Sequence, residues 1–177
     1  MSGDRQFFDL QVNGYAGVDF NGDDLSPELA CRACRQLQSD GVEGILATII
    51  TDRLDVMCRR IERIVAARQA DSLTQCIIHG IHLEGPFLNE QPGFYGAHPP
   101  GFIRPATIGA VEPLVAAGQG LVRLVTLAPE RDANLAVTRW LVEQQIRVAA
   151  GHCDPSLDQL RAAIDAGLSI FTHLGNG

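Results

Sequence analysis

Residue types that bind divalent metal ions follow three apolar segments of this chain. Glu84, His152 and His173 each lie at or just beyond the end of such a segment. A carboxylate in that position is costly to bury unless it is paired. One carboxylate and two imidazoles, with water in the remaining position, suit Zn²⁺ or a similar ion. Each histidine alone would more often be a hydrogen-bonded core or rim residue, but the three together, each with a glycine nearby, predict a metal site.

Short apolar segments alternate along the chain with longer segments of helical periodicity, which is the pattern of repeated βα units. Strands are predicted at residues 7–12, 44–50, 76–83, 121–127, 147–150 and 168–172. Helices are predicted at residues 27–38, 53–69, 107–117, 133–145 and 156–166. The connection at residues 85–105 is rich in proline and glycine, and a loop of this length in a compact domain is usually functional.

Two architectures fit this pattern, an open doubly wound sheet and a part of an eight-stranded (β/α) barrel. The segment after the first strand, NGYAG at residues 13–17, lacks the third glycine of a dinucleotide-binding turn. Polar residues lie at the C-terminal ends of four separate strands, the face on which barrel enzymes build their sites. We therefore predict one α/β domain over residues 1–177, an incomplete TIM-type barrel of about six βα units.

Composition narrows the class of partner. The net charge is −7, the pI is near 5.1, and no run of Lys or Arg occurs, which argues against nucleic acid and anionic membranes. No apolar segment is long enough to span a bilayer, so a cytoplasmic protein with a small-molecule partner is expected. The five cysteines have no framework spacing, as expected of reduced thiols. Cys31 and Cys34 form a CxxC inside a predicted helix, without a second pair, and are expected to be structural.

Five motifs follow one another along the chain: DLQVNG at 9–14, HLEGPF at 82–87, LAPE at 127–130, Gly151-His152, and THL at 172–174 with Asn176. In order and spacing they resemble the N-acetylglucosamine-6-phosphate deacetylases of the amidohydrolase superfamily over nearly the whole chain, and HLEGPF is the most specific of them. The resemblance implies a barrel enzyme of amino-sugar catabolism. Such an enzyme hydrolyses the acetamide of N-acetylglucosamine 6-phosphate to glucosamine 6-phosphate and acetate, with Glu84, His152 and His173 holding the metal.

The resemblance also assigns substrate contacts. Ala97 and His98 in the long loop are expected to bind the substrate. His98 matches a histidine that contacts the acetyl carbonyl, although an exposed loop histidine is the alternative. Asn176 and Gly177 match the position where backbone amides meet the substrate phosphate. Gly175 stands where an aromatic residue is more usual in the family, so the wall of the pocket is expected to differ there.

The number of metal ions follows from the first strand. Many superfamily members have an HxH pair there that binds a second metal, whereas this chain has Gln11 and Asn13, and amides are far poorer ligands. One divalent ion is expected, with zinc favoured and iron, manganese or cobalt as alternatives. His82 is expected to orient Glu84, and His79, of opposite parity, is expected to pack under a helix.

Other family features have no counterpart in the sequence. The resemblance implies two further strands, an aspartate after the eighth strand that acts as general base and then acid, a preceding β-sandwich, and a homodimer when the protein is full length. The aspartate is expected beyond Gly177, so no catalytic residue is assigned, and the chain is expected to be a piece of a longer enzyme. The alternatives are a non-catalytic or partner-dependent barrel fragment that binds metal or phosphosugar, and an amidohydrolase for another acylated sugar.

Overall fold

A six-stranded parallel sheet forms the frame of the protein in a computed structural model that describes residues 7–175. In chain order the strands are β1 (Phe7–Val12), β2 (Gly14–Tyr15), β3 (Val18–Asp19), β4 (Val42–Ile50), β5 (Ile78–Glu84), β6 (Val122–Leu127), β7 (Arg147–Ala150) and β8 (Ile170–Phe171). The strands β2 and β3 form a small antiparallel pair, and the others lie in the order β1-β4-β5-β6-β7-β8 with every pairing parallel. The predicted set of six parallel strands is therefore confirmed, as a half-barrel.

Helices connect the strands. They are α1 (Pro27–Ser39), α2 (Leu54–Ala70), α3 (Ser72–Ile77), α4 (Ile108–Ala117), α5 (Ala136–Glu143) and α6 (Leu157–Asp165). The first begins at Ser26, whose side chain accepts a hydrogen bond from the Leu29 amide, with Pro27 at the first helical position. The last begins with a capping box between Ser156 and Gln159. Among residues 7–175 no helix combines the length and apolar character needed to cross a bilayer.

Each face of the sheet has its own core, because side chains alternate along a strand. The larger core lies between the sheet and the helices and includes Ile45, Ile49, Ile81, Leu83, Val125 and Val148. The inner face has a small apolar layer of Leu46, Leu124 and Ala149, with Ile170 packed against it. Above it lies a polar layer of Thr48, His82 and Thr126: Thr48 is the register partner of His82, and Thr126 Oγ1 lies 2.7 Å from His82 Nε2.

The inner face is open toward the sheet edges. Strands β1 and β8 lie at the two edges. On this face Phe8 and Leu10 of β1 are 48% and 46% exposed. Phe171 on β8 is 41% exposed, but it follows the inward-facing Ile170 and points to the opposite face. Large apolar side chains are rarely grouped on a free edge, because such an edge can pair with another chain.

The structure corrects several predicted element boundaries. The strand predicted at 76–83 begins at Ile78, because residues 76 and 77 end the short helix α3, which is capped by Asp71 and was not predicted. The helix predicted at 133–145 is shorter in the structure, where α5 spans Ala136–Glu143. Asn134 and Leu135 adopt left-handed backbone angles just before it, and both carboxylate oxygens of Asp132 accept hydrogen bonds from its first amides.

The CxxC pair lies within α1, as expected. Cys31 and Cys34 are both buried. Burial raises the pKa of both thiols, and that of Cys34 to about 12. Reactive thiols have a lowered pKa and are partly exposed, so this buried pair is inert and packs in the core.

Candidate metal centre

Three strand ends and the long loop bring four ligand-type side chains to one place. Glu84 is the last residue of β5, His152 comes two positions after β7, and His173 comes two positions after β8. His98 arrives from the loop between β5 and α4. Ligand atoms of Glu84, His98 and His152 all lie within 4.8 Å of one another, which is close enough to share one metal ion.

Glu84 lies at the centre of this group. Its Oε1 is 3.2 Å from His152 Nε2 and 3.0 Å from His173 Nε2. Its Oε2 accepts a hydrogen bond from Gln11 Nε2 at 2.9 Å and lies 3.8 Å from His98 Nε2. The whole residue is only 2% exposed, so a buried carboxylate lies among nitrogen atoms from four side chains.

Hydrogen bonds at the Nδ1 atoms of His152 and His98 orient these two imidazole rings. His152 Nδ1 lies 2.9 Å from the Phe94 carbonyl oxygen, which can only accept, so Nδ1 carries a proton and Nε2 faces Glu84. His98 Nδ1 lies 2.9 Å from Thr51 Oγ1, which also lies 3.3 Å from the Glu84 carbonyl oxygen. Such outer contacts commonly orient the histidine ligands of metal sites.

The electrostatics of the group match what a metal site needs. Burial by itself would raise the pKa of Glu84, but the hydrogen bond with His152 and the nearby imidazoles hold it at about 2. Burial lowers the pKa of His98 to about 4, while the hydrogen bond to Glu84 raises the pKa of His152. At neutral pH the carboxylate is therefore charged and His98 is neutral, which are the forms that bind metal ions.

Backbone strain is concentrated at two of these residues. His152 and His173 have φ angles of 52° and 58°, in the left-handed region that side chains other than glycine seldom adopt. Such a conformation costs about 1–2 kcal/mol per residue. The Asn89 amide donates to the His152 carbonyl at 3.0 Å and helps to hold it. Strain of this kind tends to occur at functional sites.

The group opens into a cavity of about 390 Å³. Its lining consists of Gln11, Asn13, Ile50, Glu84, Gly93, Phe94, Gly96, Ala97, His98, His152 and His173. The predicted substrate residue Ala97 is thus in the cavity wall. His98 is 6% exposed, so the alternative of an exposed loop histidine is wrong. Asn176 and Gly177, predicted to meet the phosphate, lie outside the described residues.

Gly96 allows the long loop to approach the metal-binding side chains. Its φ is 57°, and a Cβ atom there would come within 3.1 Å of the His152 ring. The backbone of this loop segment therefore lies directly against the site.

Two histidine assignments change. His82 Nε2 is 2.7 Å from Thr126 Oγ1 and its Nδ1 is 3.1 Å from the Leu10 carbonyl, so His82 links β5 to β6 and β1. The side chain that hydrogen-bonds to Glu84, the role expected of His82, is Gln11. His79 is exposed beside Phe8, with ring centroids 5.1 Å apart, and the expectation that it packs under a helix is wrong. The pairing of β4 with β5 slips by one residue at His79, so parity counted back from Glu84 fails there.

The sequence reasoning also missed Thr51. It directly follows β4, and its hydroxyl contacts both His98 and the backbone of Glu84. The criterion that identified Glu84, a polar residue at a strand end, would have found it.

Known proteins resemble this chain in both sequence and fold. No family model matches the chain. It is 34% identical to an N-acetylgalactosamine-6-phosphate deacetylase of Escherichia coli O157:H7, over 97% of this chain and 44% of that protein. It is 36% identical to the N-acetylglucosamine-6-phosphate deacetylase of Homo sapiens, over 96% of this chain and 41% of that protein. The chain thus spans about two fifths of the length of these relatives.

Solved structures of deacetylases have a fold similar to that of this chain. The N-acetyl-D-glucosamine-6-phosphate deacetylase of Mycobacterium smegmatis superposes with a TM-score of 0.86 at 34% identity, over 97% of this chain and 43% of that chain. A mutant of the deacetylase from the same organism, solved in complex with N-acetyl-D-glucosamine-6-phosphate, gives a TM-score of 0.85 at 35% identity, over 96% of this chain and 42% of that one.

Proposed function

Because this chain belongs to the family of N-acetylglucosamine- and N-acetylgalactosamine-6-phosphate deacetylases, we propose that it forms the metal-binding part of an amino-sugar deacetylase. The reaction is hydrolysis of the acetamide of N-acetylglucosamine 6-phosphate to glucosamine 6-phosphate and acetate. The observation that carries this proposal is the convergence of one buried carboxylate and three imidazoles on a single cavity.

The donor set fits one divalent ion. Glu84, His152 and His173 are the proposed ligands, since each comes from the end of a strand and each imidazole Nε2 lies within 3.2 Å of Glu84 Oε1. Carboxylate and imidazole donors suit zinc, with iron, manganese or cobalt as alternatives. Gln11 occupies the other side of Glu84 with an amide, a poor metal ligand, which favours one ion over two.

The chemistry requires both the ion and the cavity wall. A divalent ion would lower the pKa of a bound water from about 15.7 toward 7 and polarise the amide carbonyl. Glu84 supplies the negative charge of the site, and the Phe94 carbonyl keeps His152 aimed into it. His98 Nε2 faces the cavity beside Ala97 and is placed to meet the acetyl group. Asn176 and Gly177 are proposed to bind the phosphate through their backbone amides.

One observation favours a second substrate. The relatives include N-acetylgalactosamine-6-phosphate deacetylases as well as N-acetylglucosamine-6-phosphate deacetylases. These two sugars carry the same acetamide and phosphate and differ only in the configuration of one hydroxyl group. Acetate release should therefore be compared for both sugars under the same conditions.

Metal binding by the purified 177-residue protein is the test. After treatment with chelator, the protein is titrated with Zn²⁺, and stoichiometry and affinity are measured by elemental analysis and calorimetry. We expect one ion per chain, with affinity at least about 100-fold lower in Glu84→Gln and His173→Ala, because removing a ligand costs more than removing an outer contact. Acetate release, where measured, should require the ion.

Matched controls are available in the same chain. Glu143→Gln removes an exposed carboxylate on α5, and His79→Ala removes an exposed imidazole beside Phe8. Both should bind zinc like the unmodified protein. A protein that takes up no zinc, or one in which Glu84→Gln binds as tightly as Glu143→Gln, would refute the proposed metal centre.

A further inference from the structure

A chain of hydrogen bonds crosses the inner face of the half-barrel one layer below Glu84. His82 Nδ1 is 3.1 Å from the Leu10 carbonyl oxygen, and its Nε2 is 2.7 Å from Thr126 Oγ1. Thr126 Oγ1 is in turn 2.7 Å from Thr172 Oγ1. His82 and Thr126 are buried, and the chain joins β1, β5 and β6 to the residue that follows β8.

The direction of the bonds follows from the carbonyl at one end. The Leu10 oxygen can only accept, so His82 Nδ1 carries a proton, and in the neutral ring Nε2 accepts from the Thr126 hydroxyl. Thr126 Oγ1 then accepts from the Thr172 hydroxyl. With a charged ring the two hydroxyls reverse direction and the chain remains continuous, so it does not depend on the protonation of His82.

Gly151 makes the last link possible. A Cβ atom at this position would lie 2.6 Å from Thr126 Cγ2 and 2.9 Å from Thr172 Cβ. Because β7 lies between β6 and β8, a side chain at residue 151 would separate the two threonines. A second anchor reinforces the contact, since the Thr172 amide donates to the Ala150 carbonyl at 2.8 Å.

This series of hydrogen bonds ends next to His173, a proposed metal ligand with a strained backbone. Thr172 immediately precedes His173, whose φ is 58° and whose Nε2 is 3.0 Å from Glu84 Oε1. A left-handed residue relaxes unless its surroundings hold it. Two bonds of Thr172 hold the backbone just before His173: the hydroxyl bond to Thr126 and the amide bond to the Ala150 carbonyl.

We propose that Thr126 and Thr172 are positioning residues that hold His173 in the geometry required for metal binding. The inference rests on the proposed function, in which His173 is a ligand. Its consequence is that a hydroxyl outside the cluster of ligands controls metal affinity. Outer contacts of metal ligands typically change affinity by about 10- to 100-fold.

The test compares Thr172→Val, which keeps the shape and removes the hydroxyl, with Thr172→Ser, which keeps the hydroxyl. Thr74→Val is the matched control, because Thr74 is also buried and bonded through its hydroxyl, but to Asp71 at the start of α3. Cobalt affinity and the visible absorption of the Co²⁺ complex are measured for each. Thr172→Val should bind about tenfold more weakly with an altered spectrum, while Thr172→Ser and Thr74→Val should match the unmodified protein.

A metal-free measurement separates this inference from the proposed function. In ¹H–¹⁵N spectra of the imidazole rings, Thr172→Val should shift or broaden the His173 signals, and Thr74→Val should leave them unchanged. Failure of the unmodified protein to bind cobalt would count against the metal centre, and the ring spectra would still decide the positioning role. Thr126→Val should reproduce the effect if Thr172→Val does not fold. Unchanged His173 signals in both valine variants would overturn the inference.

Discussion

Replacing Glu84 with glutamine tests whether the protein holds this side chain as an anion. Burial opposes its charge, yet the hydrogen bond with His152 and the surrounding imidazoles keep its pKa at about 2, against an ordinary value of 4.5. Each pH unit of such a difference corresponds to about 1.4 kcal/mol. The span from 4.5 to about 2 therefore allows a loss of up to about 3 kcal/mol in the unfolding free energy of metal-free Glu84→Gln at pH 7.

The pH dependence has a definite sign. A carboxyl group whose pKa is lower in the folded protein stabilises it above the unfolded pKa, and the contribution is lost as the pH falls through the folded value. For Glu84 the stabilisation is complete above pH 4.5 and declines toward about 2. The unmodified protein should thus lose more stability than Glu84→Gln across that window.

Urea unfolding followed through the fluorescence of the single tryptophan, Trp140, measures these terms at pH 7 with chelator and with zinc. Zinc at about 100 times its Kd should add about 2.7 kcal/mol to the unmodified protein. Glu84→Gln should lose both the charge contribution and the zinc contribution, whereas Glu143→Gln should keep both. Full stabilisation of Glu84→Gln by zinc would refute the assignment of Glu84 as a ligand.

Three further predictions concern other parts of the chain. His98→Ala should retain one zinc ion but raise KM or lower kcat in acetate release, and loss of the ion would make His98 a ligand instead. At pH 8 the exposed Cys76 should react with a thiol reagent at once, whereas burial raises the pKa of Cys34 to about 12 and should delay its reaction until the protein unfolds. The apolar inner face around Leu10 should bind a hydrophobic dye and promote self-association in a concentration-dependent way, and Leu10→Lys should reduce both effects in dye titration and light scattering.

The positions of the strand-end residues could be predicted from sequence because the local pattern determines them. The apolar segment before Glu84 predicted a strand, and the polar Glu84 marked its end. In the structure Glu84 is the last residue of β5. Parallel strands present their C-terminal ends on one edge, so His152 and His173 had to lie near it. That reasoning needs only local sequence and the rule of parallel strands.

Other features depend on contacts that the local pattern does not contain. The slip in pairing at His79 follows from how β4 meets β5, and no count along one strand reveals it. His82 has the parity expected of a partner of Glu84, but Thr126, 44 residues away, binds it more closely. The long loop folds so that His98 is buried, whereas its composition and length indicated only a functional loop.

The most direct test of the metal centre is anomalous X-ray diffraction at the zinc edge from crystals grown with one equivalent of Zn²⁺. We predict one peak per chain, at about 2.0–2.2 Å from an oxygen of Glu84 and from the Nε2 atoms of His152 and His173. A peak elsewhere in the chain, or no ordered peak between these three side chains, would show that they are not the metal ligands.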